Sequence, residues 1–302
     1  MICLMLTVFG TIALDTTRTP DATVDRILGG AATFAALSAR YYTSTSIVGI
    51  VGNDFPPEYS ELLDQRVDTL GIVTKSDAKT FHYDSSFDHD LSHRTTNKTE
   101  LNAISGYEPQ IPEKYVDSDY VYLANNDPVQ NIKMMALFSD PKLTICDTID
   151  FWILNKKNSV LGMMSRSDGV IINEQEAKLL CNENNLLKCG RNLLSMGPLF
   201  AVIKKGENGA ILFHEKEIYP FPAFPTELIR DPTGAGDSFA GAFVGYLAKN
   251  NKMGIRSLKK AVLHGNVMGS FAIEDFGVTR LVNIKRSEIL GRYSRYAQLL
   301  RL

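Results

Sequence analysis

Short apolar runs alternate with stretches of helical spacing along most of the chain. The runs at 4–9, 46–51, 119–124, 143–146, 169–172, 200–204 and 210–214 read as buried strands. Between them, 31–42, 57–65, 129–138, 174–181 and 186–196 read as helices, and three more helical stretches follow at 236–249, 257–273 and 286–300. This alternation predicts a single α/β domain over 1–302, with a doubly wound, mainly parallel sheet and helices on both faces. The strand runs are apolar at nearly every position, as a sheet covered on both sides requires. One segment breaks the rhythm. Residues 79–99, KTFHYDSSFDHDLSHRTTNKT, are polar and aromatic with few aliphatic positions. Their alternation suits exposed antiparallel strands without a core of their own, either part of a small β-rich lid, formed by early insertions, over a site in the main domain or a long surface hairpin.

Composition excludes more than it identifies. Hydrophobic residues make up 44% and charged residues 22% of the 302 positions, as in an ordinary globular protein. The formal charge of −2 provides no basic field for nucleic acid and no polybasic patch for a membrane. A small anion would have to be held by a local site. The four cysteines, Cys3, Cys146, Cys181 and Cys189, form no CxxC pair. Cys3 and Cys146 lie in apolar strand runs and read as buried thiols, a usage that fits a reducing cytoplasm. The opening MICLMLTVFGTIALD has no basic residue ahead of its apolar run, so it reads as a first strand and not as a signal peptide. No run reaches the roughly 18 apolar residues of a membrane span.

The window 231–248, DPTGAGDSFAGAFVGYLA, concentrates the chemistry. Asp231-Pro232-Thr233 suits a turn. Gly234-Ala235-Gly236 then forms a loop with almost no side chains, so its backbone N–H groups can approach a ligand closely. A glycine-rich loop that opens a helix is an anion site, because free N–H groups and the helix dipole both favour negative charge. Asp237 at that helix start puts a carboxylate beside a phosphate-binding loop, where it can take a proton from an attacking hydroxyl. The structural alternative is that Asp237 caps the helix and the glycines only turn the chain.

DPTGAGDSFAGAF resembles the C-terminal signature of the PfkB (ribokinase-like) family of carbohydrate and nucleoside kinases. The resemblance implies that Asp237 is the catalytic base and that Gly234, Ala235 and Gly236 form the anion hole for the phosphate in transfer. Further segments are similar in the family's order over nearly the whole chain. Gly10-Thr11-Ile12-Ala13-Leu14-Asp15 is similar to the opening strand and turn, whose aspartate holds substrate hydroxyls. Gly29-Gly30-Ala31-Ala32 looks like the GG motif beneath the substrate, and residues 48–55 resemble the VGxVGxDxFG element, with Pro56 at the final glycine. Asn173 and Glu176 match the NxxE motif associated with magnesium and phosphate. Lys204, Gly206 and Gly209 resemble the strand-turn leading to the nucleotide, where Asn266 and Thr233 also belong. Asp231, Thr233, Ala272, Asp275 and Gly277 match positions that hold a monovalent cation such as potassium, mostly through carbonyls. Phe34 stands where the family usually has asparagine, and an aromatic there can stack on a base or sugar face. With Tyr83, Phe87 and Arg94 of the lid segment, the GGAATFAA variant looks more like a divergent branch of sugar and nucleoside kinases.

Each secondary signal also has a plainer reading. Asn173-x-x-Glu176 is a capping box as well as a magnesium motif, and Asp15 before two threonines can cap or turn. His82, His89 and His93 lack the partners of a zinc site and read as solvated lid residues. Asp275-Phe276-Gly277 spells a protein-kinase motif without its companions, and GxxxxGK[ST] is absent. The expected reaction is therefore transfer of the ATP γ-phosphoryl group, with magnesium, to a hydroxyl of a sugar. A nucleoside acceptor is the alternative, and a non-catalytic nucleotide or sugar sensor on the same fold is the rival from another class. A homodimer through the exposed lid sheet is also expected.

Overall fold

The computed structural model describes residues 5–91 and 93–300, so Cys3 and Leu4 lie outside it. The described residues form β1 (Met5–Phe9), β2 (Ala13–Arg18), β3 (Thr23–Gly29), β4 (Ser44–Gly52), β5 (Asp68–Lys75), β6 (His82–Phe87), β7 (Arg94–Glu100), β8 (Tyr120–Leu123), β9 (Leu143–Cys146), β10 (Gly169–Asn173), β11 (Phe200–Lys204), β12 (Ala210–His214) and β13 (Glu217–Phe221). Nine of them make one sheet in the order β13-β12-β11-β10-β9-β8-β1-β4-β5. Its pairs from β11 through β5 are parallel, and β12 and β13 close one edge antiparallel. This is the architecture that the alternation predicted. Strand order reverses at β1, which lies between β4 and β8, so the carboxyl end of β1 opens onto the crevice where such sheets bind ligands.

Side-chain alternation explains why both faces are covered. Along β8, Tyr120 and Tyr122 enter the core on one face while Val121 and Leu123 enter the core on the other. On the first face the helices Ala31–Ala39 and Ala235–Asn250 cross closely, because a Cβ on Gly241 would come 2.1 Å from the Ala35 carbonyl oxygen. Small residues let the backbones touch there. No helix among the described residues is long and apolar enough to cross a membrane.

The second sheet has the order β3-β2-β6-β7 and forms the lid. The 79–99 segment supplies β6 and most of β7, as expected, but half of the lid comes from residues 13–29. The lid is not purely antiparallel, since β2 pairs with β6 in parallel. Asp15 consequently sits within β2 beside a register shift, not at a turn. The apolar pattern missed β2 and β3 because a sheet open to solvent needs no continuous apolar run. It also missed β5, β13 and the helix Asp150–Met164, whose period is interrupted by polar residues around the non-helical Lys156. Within the lid, His82 bonds Glu100 at 2.9 Å and Thr16 at 3.0 Å, and His93 bonds Asp88.

Candidate active site

The site residues collect at the carboxyl edge of the parallel strands. Gly10 follows β1, Asp147 follows β9, and Asn173 and Lys204 end the paired strands β10 and β11. The loop 231–234 brings the start of the Ala235–Asn250 helix over the same edge. Its N-cap is Gly234, in the left-handed region at φ 75°, with no side chain capping the helix. The Ala235 amide reaches the Pro232 oxygen at 3.3 Å, while the Gly236 amide has no protein acceptor among the described residues. A helix start left in this state is a donor for an incoming anion.

Asp237 occupies the first turn of this helix. Burial raises its pKa to about 6; Asp147 pushes the same way, and Lys204 and Arg94 oppose. A base in that range is ionised at neutral pH yet able to hold a proton. Asp15 is 5% exposed and has its pKa pushed up to about 7, chiefly by burial, with Asp231 and Asp237 adding to it. Its Oδ2 accepts from the Gly30 amide at 3.2 Å, and its Oδ1 has no hydrogen-bond partner among the described residues. Gly29 and Gly30 make this placement feasible. A Cβ on Gly29 would come 1.9 Å from Asp15 Oδ2, and Gly30 takes φ 93° with the Thr11 oxygen 2.5 Å from where its Cβ would be. The positive charge of Arg94, on the lid, favours the ionised forms of Asp15, Asp237 and Glu176.

Lys204 Nζ bonds Asp147 Oδ2 at 2.9 Å and lies 3.1 Å from a Cβ built on Gly236. Burial opposes its charge, but Asp147, Glu176 and Asp237 outweigh that and raise its pKa. Asp147 also accepts from Tyr122 Oη at 3.2 Å and from the Thr148 amide at 2.7 Å. Asn173 and Glu176 form the full capping box: the Asn173 amide donates to Glu176 Oε2 at 2.7 Å, and the Glu176 amide to Asn173 Oδ1 at 2.9 Å. Burial, with Asp147 adding, raises the Glu176 pKa well above the usual carboxylate range. Three carboxylates thus face one lysine, an excess of negative charge that suits a divalent cation. Sequence reasoning passed over Asp147. The available signal was its position directly after an apolar strand run, where parallel sheets present ligand-binding residues.

Several expected site residues have other duties. Phe34 is 1% exposed and offers no face to a ligand; its ring packs against Gly234, where a Cβ would come 2.3 Å from it. Asn266 Nδ2 is engaged by the Pro222 oxygen at 3.3 Å and by Tyr296 Oη at 3.0 Å. Gly209 lies against the backbone of Phe221 and Pro222, whereas Gly206 faces open space. The cation set converges only in part. Asp231 accepts from the amides of Thr233 at 2.9 Å and Gly277 at 3.2 Å, Ala272 ends a helix with no exposed surface, and Asp275 faces Arg230 at 3.5 Å. The two segments meet through their backbones, Arg230 N donating to the Ile273 oxygen at 2.8 Å.

The sequence profile described as pfkB family carbohydrate kinase matches residues 5–285. The cytidine kinase of Thermococcus kodakarensis is 30% identical over 244 residues, covering 79% of this chain and 87% of that protein. Among solved structures, the nucleoside kinase of Methanocaldococcus jannaschii superposes with a TM-score of 0.77 at 18% identity, over 96% of this chain and 98% of that one. The aminoimidazole riboside kinase of Salmonella enterica, solved with aminoimidazole riboside and an ATP analogue, gives a TM-score of 0.76 at 17% identity, over 96% and 99%. At such identities the two structures testify to a common fold.

Proposed function

The chain belongs to the pfkB family of carbohydrate kinases, and from that membership we propose that it transfers the γ-phosphoryl group of ATP to a hydroxyl of a sugar unit. The observation that carries the reading is the unpartnered Oδ1 of buried Asp15, which lies electrostatically coupled to Asp237. A carboxylate oxygen without a donor is a place for an acceptor hydroxyl, since a buried polar atom left unpaired costs about 1–3 kcal/mol. Asp15 and the Gly29-Gly30 turn hold the acceptor, and Arg94 covers it from the lid. Asp237 takes the hydroxyl proton as the oxygen attacks phosphorus; the new O–P bond forms, the bond to the β-phosphate breaks, and ADP leaves. The Gly236 amide and the Lys204 ammonium meet the negative oxygens of the group in transfer. Magnesium, arriving with the nucleotide, would be held through water by Glu176 beside Asn173 and would neutralise phosphate charge. A potassium ion near 231–233 and 272–277 would rest on carbonyls.

A nucleoside acceptor is the second reading, favoured by the cytidine kinase and nucleoside kinase among the relatives. Release of ADP from ATP in the presence of ribose, fructose, cytidine or adenosine separates the two. Asp237→Asn is expected to lower kcat by roughly 10²–10⁴, as loss of a general base does. Wild-type turnover in that variant would remove Asp237 from the role. Binding of ATP and a sugar with no ADP formed would replace the kinase by a sensor. The outer lid strand β7 is exposed from Arg94 to Lys98, and a dimer formed along it is checked by sedimentation.

A further inference from the structure

Away from the acid-base cluster, a cavity of about 270 Å³ opens between three helices and the turn after a fourth. The imidazole of His264 lies stacked between two rings, 4.4 Å from Tyr246 and 4.2 Å from Tyr293 between centroids, and edge-on to Tyr42 at 5.2 Å. Tyr42 Oη engages its Nδ1 at 3.2 Å, and Nε2 has no hydrogen-bond partner among the described residues. Burial pushes the His264 pKa down to about 3, and Lys249 and Lys260 act in the same direction, so the stack is neutral. Three cations, Lys249, Lys260 and Arg286, line the same cavity, and no carboxylate does. None of the three has an ion-pair partner among the described residues.

Single surface lysines are ordinarily solvated. Three unpaired cations converging on a neutral aromatic stack form a different object, because the wall then complements a flat ring that carries an anion. We propose that this cavity is a second binding site, for a nucleotide whose base extends the Tyr246–His264–Tyr293 stack and whose phosphate rests on Lys249, Lys260 and Arg286. The size agrees with one small ligand, and His264 Nε2 offers a polar contact at the stack. Tyr246 lies nine residues beyond Asp237 on one helix, about 13 Å along its axis, so the site is separate from phosphoryl transfer and independent of which acceptor is used.

Equilibrium dialysis of the whole protein against labelled adenosine 5′-monophosphate tests this. Wild type is expected to bind one equivalent more than Lys249→Glu/Lys260→Glu, or to bind that equivalent at least about tenfold more tightly. The double variant changes only exposed side chains and should retain wild-type kcat and KM at limiting ATP. Adenosine and inorganic phosphate, each supplied alone, should displace the extra equivalent about tenfold less well than the monophosphate. Equal binding by the two proteins overturns the proposal, as does inorganic phosphate competing as effectively as the nucleotide, since the aromatic stack would then play no part. Loss of the extra equivalent in Tyr293→Leu, with thermal unfolding still cooperative, is the expected third result; its retention counts against the stack.

Discussion

As the proposed base, Asp237 has to be ionised to accept a proton, and Lys204 is the leading charge that keeps it so. Burial and Asp147 both favour the protonated form, while the ammonium and Arg94 favour the carboxylate. Replacing Lys204 by Met removes a charge that lowers the Asp237 pKa, so the acid limb of the kcat–pH profile should move upward from near pH 6. The activity loss is then larger at pH 6.5 than at pH 9, and Lys204→Arg should bring the limb part of the way back. A uniformly reduced kcat with an unmoved limb would mean that Lys204 acts on the phosphate alone. The Gly234–Gly236 turn and the helix start at Asp237 were legible in the sequence because the pattern is local, within four consecutive residues. The Lys204–Asp147 pair spans 57 positions. It exists only because β9, β10 and β11 lie side by side.

Among elements, the contact between the Ala31–Ala39 helix and the loop that opens the Ala235–Asn250 helix has the clearest steric logic. Gly234 sits at φ 75° with the Phe34 ring 2.3 Å from where a Cβ would stand. Gly234→Ala therefore meets both a backbone and a packing penalty, expected to total roughly 1–3 kcal/mol in urea unfolding. Combining it with Phe34→Leu should recover the steric part and leave about 1 kcal/mol from the left-handed backbone. Equal midpoints for wild type and Gly234→Ala would contradict that packing. From the sequence, Phe34 looked like a stacking surface for a ligand. The fold makes it a spacer packed against the glycine-rich loop, a distinction that rests on a contact between residues 200 apart in the chain.

Across the whole molecule, the crevice between sheet and lid stores unfavourable charge. Asp15, Asp237 and Glu176 all have raised pKa values, led in each case by burial. The folded state therefore binds more protons than the unfolded chain around neutrality, and stability falls as pH rises through the folded pKa values. Carboxylates with lowered pKa values, such as Asp54 and Asp68, act in acid instead. His264, held neutral by burial, exerts its effect below its ordinary value of 6.5. From pH 7 to 8.5 the ligand-free protein should accordingly lose thermal stability, and Asp15→Asn should flatten that slope and raise Tm at pH 8.5. Calorimetry across the range checks the sign; a Tm that climbs from pH 7 to 8.5 would exclude the buried acidic crevice.

The sequence by itself determined the layered α/β architecture, the glycine-rich turn that opens a helix at Asp237, and the capping box at Asn173, because each follows from neighbouring residues obeying a period or a turn rule. Only the tertiary structure decided that residues 13–29 build half of the lid, that Asp15 keeps a bare carboxylate oxygen, and that Asp147 holds Lys204 against Gly236. Those outcomes depend on which strands become neighbours, and contacts between distant segments leave no periodic trace in the chain.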